Sequence, residues 1–223
     1  MHTPKLEIHR DVIAGVAFAL LAAVGFSAKA ILVKLAYLEH VDAITLLALR
    51  MAFAVPFFVA MAVWVCRQPR APLSGHDRWL IVALGLIGYY LSSLLDFIGL
   101  QYISAGLERL ILFLYPTMTV LLTAFVYKRA IGGKVMLAMA LSYAGVALVF
   151  LHDVGWQAGD SVLLGASLVF ASTLSYSVYL VGVGHSIARI GTMRFTAYAM
   201  LVASAASLLQ FVVMRPLSAL DLP

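Results

Sequence analysis

The chain has 223 residues, 64% of them hydrophobic and 11% charged, with a formal net charge of +5. Soluble domains carry roughly 25% charged residues, so this chain lacks the polar surface to cover a water-soluble globule, and a mean hydropathy of +1.02 makes lipid its main solvent. One cysteine, Cys66, excludes an intramolecular disulfide and a cysteine-based metal cluster, and the positive charge, which alone suggests nucleic acid, maps instead to the flanks of apolar segments.

Apolar stretches of about 20 residues, the length that crosses a bilayer, recur along the chain. They are read at about 11–36, 42–66, 79–102, 105–127, 133–151, 161–184 and 193–214. The expected fold is an all-α polytopic membrane protein with about seven transmembrane helices. The first stretch is too long for a cleaved signal peptide and has no small-residue cleavage site. Trp64, Trp79 and Trp156 fall at span ends, as an aromatic belt requires.

The connections alternate in charge. Lys5 and Arg10 precede the first span; Arg67, Arg70 and Arg78 follow the second; Lys128, Arg129 and Lys134 follow the fourth; Arg189 and Arg194 follow the sixth. The opposite connections, 37–42, 102–106 and 152–160, have no Lys or Arg, and their charges are Glu39, Asp42, Asp153 and Asp160. Arg215 follows the seventh span. The positive-inside rule then puts the N-terminus in the cytoplasm. Residues 103–106, Ile-Ser-Ala-Gly, allow only a tight turn, so the third and fourth spans are antiparallel neighbours.

Five charged residues lie inside the apolar spans: Lys29, Arg50, Asp96, Glu108 and Arg109. Each costs about 2.5–3.5 kcal/mol in hydrocarbon even on the lenient insertion scale, so each must be paired or line a wet cavity. At about 1.5 Å per residue, Lys29, Arg50 and Asp96 lie roughly 6–8 Å outward of the midplane and Glu108 and Arg109 roughly 10–12 Å. Snorkelling to the outer interface is the alternative for Lys29 and Arg109, and the simpler account of Lys34. It fails for Asp96, whose side chain is too short. By depth, Arg50 is the expected partner of Asp96, with Lys29 next. Glu108 and Arg109 point about 100° apart and cannot share one partner, so at least one faces the cavity. Asp96 and Glu108 are candidate proton carriers, although a carboxylate in the first turn of a helix also suits the helix dipole.

Pro116 falls mid-span and removes the donor for the Leu112 carbonyl, giving a kink; Pro56 raises the same question in the second span. Tyr90, Tyr115, Tyr176 and Tyr179 lie too deep for a belt, and either wall a substrate path or pack the core. Gly85 with Gly88, and Gly15 with Ala19, suit close helix packing. His2, His9, His40, His76, His152 and His185 cluster at span ends without metal-site spacing, and no phosphate loop or nucleophile elbow occurs. No metal or cofactor is expected, and no enzyme activity. The expected partners are the bilayer and a small-molecule substrate, not nucleic acid.

Spans six and seven resemble spans one and two at an offset of 150 residues, with Gly15 against Gly165, Phe26 against Tyr176 and Ser27 against Ser177. Five spans precede the second copy, and an odd number inverts its orientation, as in secondary transporters. A full second copy needs three more spans and ends at about residue 300, so the chain reads as a fragment or a shortened member.

The run Gly99-Leu100-Gln101-Tyr102-Ile103-Ser104-Ala105-Gly106-Leu107-Glu108-Arg109, followed by Phe113-Leu114-Tyr115-Pro116-Thr117, resembles the third-to-fourth helix junction of the EamA domain in the drug/metabolite transporter superfamily. Gly145-Val146-Ala147-Leu148-Val149 resembles its fifth-helix ending, and Arg50 and Lys29 match basic residues common in its second and first helices. The sequence departs at Lys128, where family members often place a glutamate. The resemblance implies a first five-helix repeat over 11–151 and the start of a second from 161, in a ten-span carrier of small metabolites. The expected function is therefore secondary transport at the bacterial inner membrane, with outward movement of amino acids, related compounds or drugs. Lys29, Arg50, Asp96, Glu108, Arg109, Tyr90, Tyr115, Pro116, Tyr176 and Tyr179 are the candidate cavity residues. The alternatives are a seven-helix receptor or sensor, an intramembrane enzyme built on Asp96 and Glu108, and a fragment that does not transport.

Overall fold

The computed structural model of the protein describes the backbone of residues 4–68, 72–128, 130–156, 160–216 and 219, with side chains from Gly15 onward except at 146, 149–156, 160 and 185. Expectations resting on the side chains of His2, Lys5, His9, Arg10, Arg70, Arg129, His152, Asp153, Trp156, Asp160 and His185 lie outside this set.

The chain is an all-α polytopic membrane protein. Its helices are α1 (Pro4–Leu38), α2 (Ala43–Cys66), α3 (Gly75–Gly85), α4 (Ser92–Leu100), α5 (Ala105–Leu112), α6 (Tyr115–Tyr127), α7 (Gly133–Trp156), α8 (Asp160–Ile190) and α9 (Thr192–Met214). A π-helical segment, Leu86–Leu91, joins α3 to α4. Among the described residues six helical stretches are long and apolar enough to cross a membrane, one fewer than expected. The stretch expected at 133–151 is helical, as α7, but residues 146 and 149–151 lie outside the described side chains and it is not among the six.

Local chemistry sets the span ends. Ser74 and Asp77 form a capping box: Ser74 Oγ accepts from the Asp77 N–H at 3.1 Å, and Asp77 Oδ2 accepts from the Ser74 N–H at 3.1 Å. This starts the third span a turn earlier than Trp79. Trp64 and Trp79 are exposed near the ends of their spans, where a belt residue meets the interface. Asp42 caps α2, accepting from the N–H groups of Ile44 at 3.1 Å and Thr45 at 3.4 Å. It also receives Arg215 Nε at 3.0 Å, tying α2 to the end of α9. At the other end of the bundle Arg189 of α8 pairs with Asp77.

Burial opposes ionisation of Asp42, but hydrogen bonds from Thr45 and Arg215, and the Arg215 charge, outweigh it and hold the carboxyl below its ordinary value. A depressed pKa contributes stability that is present above the unfolded-state value and lost as pH falls through the folded one. Asp42→Ala is therefore expected to lower stability at pH 7 by about 1 kcal/mol through the lost cap. In thermal unfolding scans the gap from wild type should close only below about pH 4.

In lipid, helix association depends on close packing rather than expulsion of water, and glycines provide it here. α8 lies against α3, the π segment, α4, α5 and α6, while α9 lies against α2 and α3. A methyl at Gly99 of α4 would come within 2.8 Å of the Gly165 carbonyl of α8, and one at Gly85 within 2.9 Å of the Ala199 carbonyl of α9. Gly88 is likewise filled, by Tyr179. Among the described residues nothing lies within 4 Å of a methyl placed at Gly15. α1 leans on α2, α4 and α5 along a short stretch and leaves Phe18, Leu20, Leu21 and Val24 exposed.

Candidate functional site

Four of the five intramembrane charges are brought together by three spans. Lys29 of α1 reaches Asp96 of α4, donating to its Oδ2. Its Nζ also lies 3.1 Å from Glu108 Oε1 on α5. Glu108 Oε2 is 3.2 Å from Arg109 Nε. Arg109 in turn donates from Nη2 to the Phe26 carbonyl at 2.5 Å and sets its guanidinium 4.4 Å from the Phe26 ring centroid. Asp96 is 4% exposed and Glu108 fully enclosed, so these counterions are what makes two carboxylates tenable here.

Two expectations change. Asp96 pairs with Lys29, not Arg50. The Arg50 guanidinium sits 5.6 Å from the Phe97 ring centroid, with that ring rather than a carboxylate facing it. Lys29 and Arg109 do not snorkel; both turn inward to partners. Glu108 and Arg109, though sequence neighbours, pair with each other because the long arginine stem folds back. Asp96 and Glu108 meet through the Lys29 ammonium rather than facing each other as a free carboxylate dyad.

A cavity of about 360 Å³ opens beside this cluster, at the low end of the ~300–1,000 Å³ range of ligand pockets. Of the expected residues, Lys29, Arg50, Asp96, Arg109, Tyr115 and Tyr176 line it. Glu108 stands behind Lys29 and Arg109, outside the lining. Tyr179 backs Tyr89: their hydroxyls are 2.7 Å apart and their rings 4.9 Å apart. Tyr176 stacks on Tyr179 at 5.5 Å and meets Tyr115 edge-on at 5.7 Å. Tyr90 and Pro116 do not line the cavity. The residues not anticipated there include Tyr89, Ser92, Ser93, Ser172 and Thr173.

Irregular backbone explains these differences. The π turn inserts a wider loop of chain, with the Ser92 N–H bonded to the Ile87 carbonyl five residues back. It turns Tyr89, rather than Tyr90, toward α8. The fourth span is broken rather than kinked: α5 ends at Leu112, and α6 restarts at Tyr115 with Pro116 in its first turn, where its missing N–H costs nothing. Beside these irregularities α8 adds hydroxyl donors to carbonyls of the neighbouring spans, the Ile87 carbonyl among them although the Ser92 N–H already reaches it. Ser175 Oγ donates to the Ile87 carbonyl and Ser172 Oγ to the Ser92 carbonyl, each at 2.7 Å, and Ser177 Oγ donates to the Tyr115 carbonyl at 3.2 Å. Thr119 Oγ1 adds a 2.7 Å bond to that same Tyr115 carbonyl. The signal for this was the run Ser172-Thr173-Leu174-Ser175-Tyr176-Ser177, unusually rich in hydroxyls for a membrane span. At Lys128, where the resemblance leads one to expect a glutamate, the residue ends α6 in a left-handed conformation with φ 51°.

Comparison with known proteins agrees with this architecture. The model described as the EamA-like transporter family matches residues 13–151. A curated relative from Bacillus subtilis (strain 168), described as the uncharacterized transporter YcbK, is 33% identical over 203 residues, covering 90% of this chain and 64% of its own length. The chain thus spans less than two thirds of that relative. No solved structure matches. The match to the family model takes in more than half of the sequence, and the charged cluster and most of the cavity lining fall within it; the chain belongs to the EamA-like transporter family.

Proposed function

We propose that the protein is a secondary active transporter that moves small metabolites, amino acids or related compounds, outward across the bacterial inner membrane, with its N-terminus in the cytoplasm. The observation that carries this reading is a cluster of the ionisable side chains Lys29, Asp96, Glu108 and Arg109 at the edge of a cavity within the membrane spans. Such groups are too costly in lipid to be incidental. The organisation we infer is a five-helix repeat over 11–151 followed by the opening of an inverted copy from 161. Phe26 and Tyr176, at equivalent places 150 residues apart, both border the cavity, which supports it. Asp96 and Glu108 are the proton sites in this scheme, each able to give up its counterion when protonated.

The test is efflux of a metabolite panel from energised vesicles carrying the full-length gene product. Asp96→Asn and Arg50→Ala are expected to cut transport by about tenfold or more, the loss of one charge-assisted contact. Flux unchanged in both variants would remove the site assignment.

A further inference from the structure

We propose that Arg50 is the anion anchor of the cavity: its guanidinium receives a carboxylate on the substrate, and the cavity binds molecules bearing that group in preference to their neutral or cationic analogues. The inference rests on the transport reading only in taking this cavity as the substrate site.

Charge balance carries it. Lys29 and Arg109 are matched by Asp96 and Glu108 in an open line of contacts that runs Asp96, Lys29, Glu108, Arg109. By formal charge, the two cations match the two carboxylates. Arg50 stands apart. Among the described residues no carboxylate lies within 4.0 Å of it, and the contact it makes is with the Phe97 ring. Its head borders the same cavity as Lys29 and Asp96. Counted by contacts among the described residues, one cation, Arg50, has no paired carboxylate, and it borders the cavity.

An unmatched guanidinium within a membrane span is unfavourable, and a ligand carboxylate relieves it. Arginine suits the task because its planar fork meets a carboxylate with two parallel hydrogen bonds. The rest of the cavity fits the body of such a ligand. Phe26, Tyr89, Tyr115 and Tyr176 offer ring faces, and Ser92 and Ser93 offer hydroxyls. Asp96 adds a second polar feature. It is 4% exposed and borders the cavity, and its Oδ1 has no hydrogen-bond partner among the described residues. A donor on the ligand beside its carboxylate would complete it.

The experiment measures binding, not flux. The full-length protein in nanodiscs is heated with matched probes: 3-phenylpropionate, its amide, phenylalanine and phenethylamine. A ligand of the folded state raises Tm in a saturable way. The two carboxylates are expected to raise Tm at concentrations at least about tenfold lower than the amide or the amine, the worth of a charge-assisted pair. Arg50→Gln should abolish that preference and Arg50→Lys restore part of it. Phenylalanine against 3-phenylpropionate reads the second feature, since they differ by the ammonium that Asp96 would accept. A wild-type protein that treats each carboxylate like its uncharged or cationic counterpart overturns the proposal, and so does a preference that survives in Arg50→Gln. The wild-type comparison holds even if the variants fold poorly. Carboxylate preference without transport would instead remove the transport reading and leave Arg50's role standing.

Discussion

Lys29→Met is expected to be the most damaging single substitution in the membrane interior. It leaves Asp96 without its cation and Glu108 with Arg109 alone, although both carboxylates are buried. Removing one partner from a buried ion pair typically costs about 3–5 kcal/mol, because the other charge remains in low dielectric. The expected phenotype is a sharp fall in folded yield and Tm. The cause can be separated from lost packing with a second substitution. Lys29→Met with Asp96→Asn removes one stranded charge, so the double variant should be more stable than Lys29→Met alone, by coupling on the order of 1–3 kcal/mol. Simple addition of the two losses would mean that the pair is not coupled.

The second large effect concerns two glycines that the sequence sets in equivalent places. Gly165→Leu is expected to disrupt the α4–α8 crossing. A Cβ there would meet the Gly99 carbonyl at 2.8 Å and the Tyr102 Cβ at 2.7 Å, so backbone must part from backbone. A cost of about 3 kcal/mol or more follows, in line with severe overpacking. Gly15→Leu lies 150 residues earlier, and a Cβ there meets nothing within 4 Å among the described residues. It should be neutral or slightly stabilising, since leucine favours helix over glycine by about 0.5–1 kcal/mol. Tm of the two variants in the same detergent decides the matter; similar losses would mean that α1 packs more closely than described.

This contrast marks what periodicity and composition can carry. Span positions were legible because lipid demands long apolar runs with every backbone group satisfied internally. The intramembrane charges stood out for the same reason. Which cation meets Asp96 was not legible, because counting residues gives depth along a helix but not the azimuth at which helices face each other. Lys29 and Arg50 have similar depth, and only the packing of α1 and α2 around Phe97 separates them. Tyr90 was chosen over Tyr89 because an unbroken α-helix was assumed, and the π turn at Leu86–Leu91 changes the phase. Pro116 was read as a kink because the sequence does not say that the helix stops and starts again there. Gly15 and Gly165 look alike in sequence but differ in neighbours: α8 packs closely on α4 at Gly165, and α1 is largely exposed.

The π turn has one more consequence. A turn closed by a bond from residue 92 to residue 87 holds one residue more than an α-turn, so it acts as a single-residue insertion in the third span. The two halves of that span are consequently out of step by about 100° relative to a continuous α-helix. Asp77 at the start of the span pairs with Arg189, and Asp96 near its end pairs with Lys29. Both pairs form with the extra residue between them. The aim of the carboxylate in the cavity is thus set by a residue count upstream of it, independently of which side chains fill that stretch.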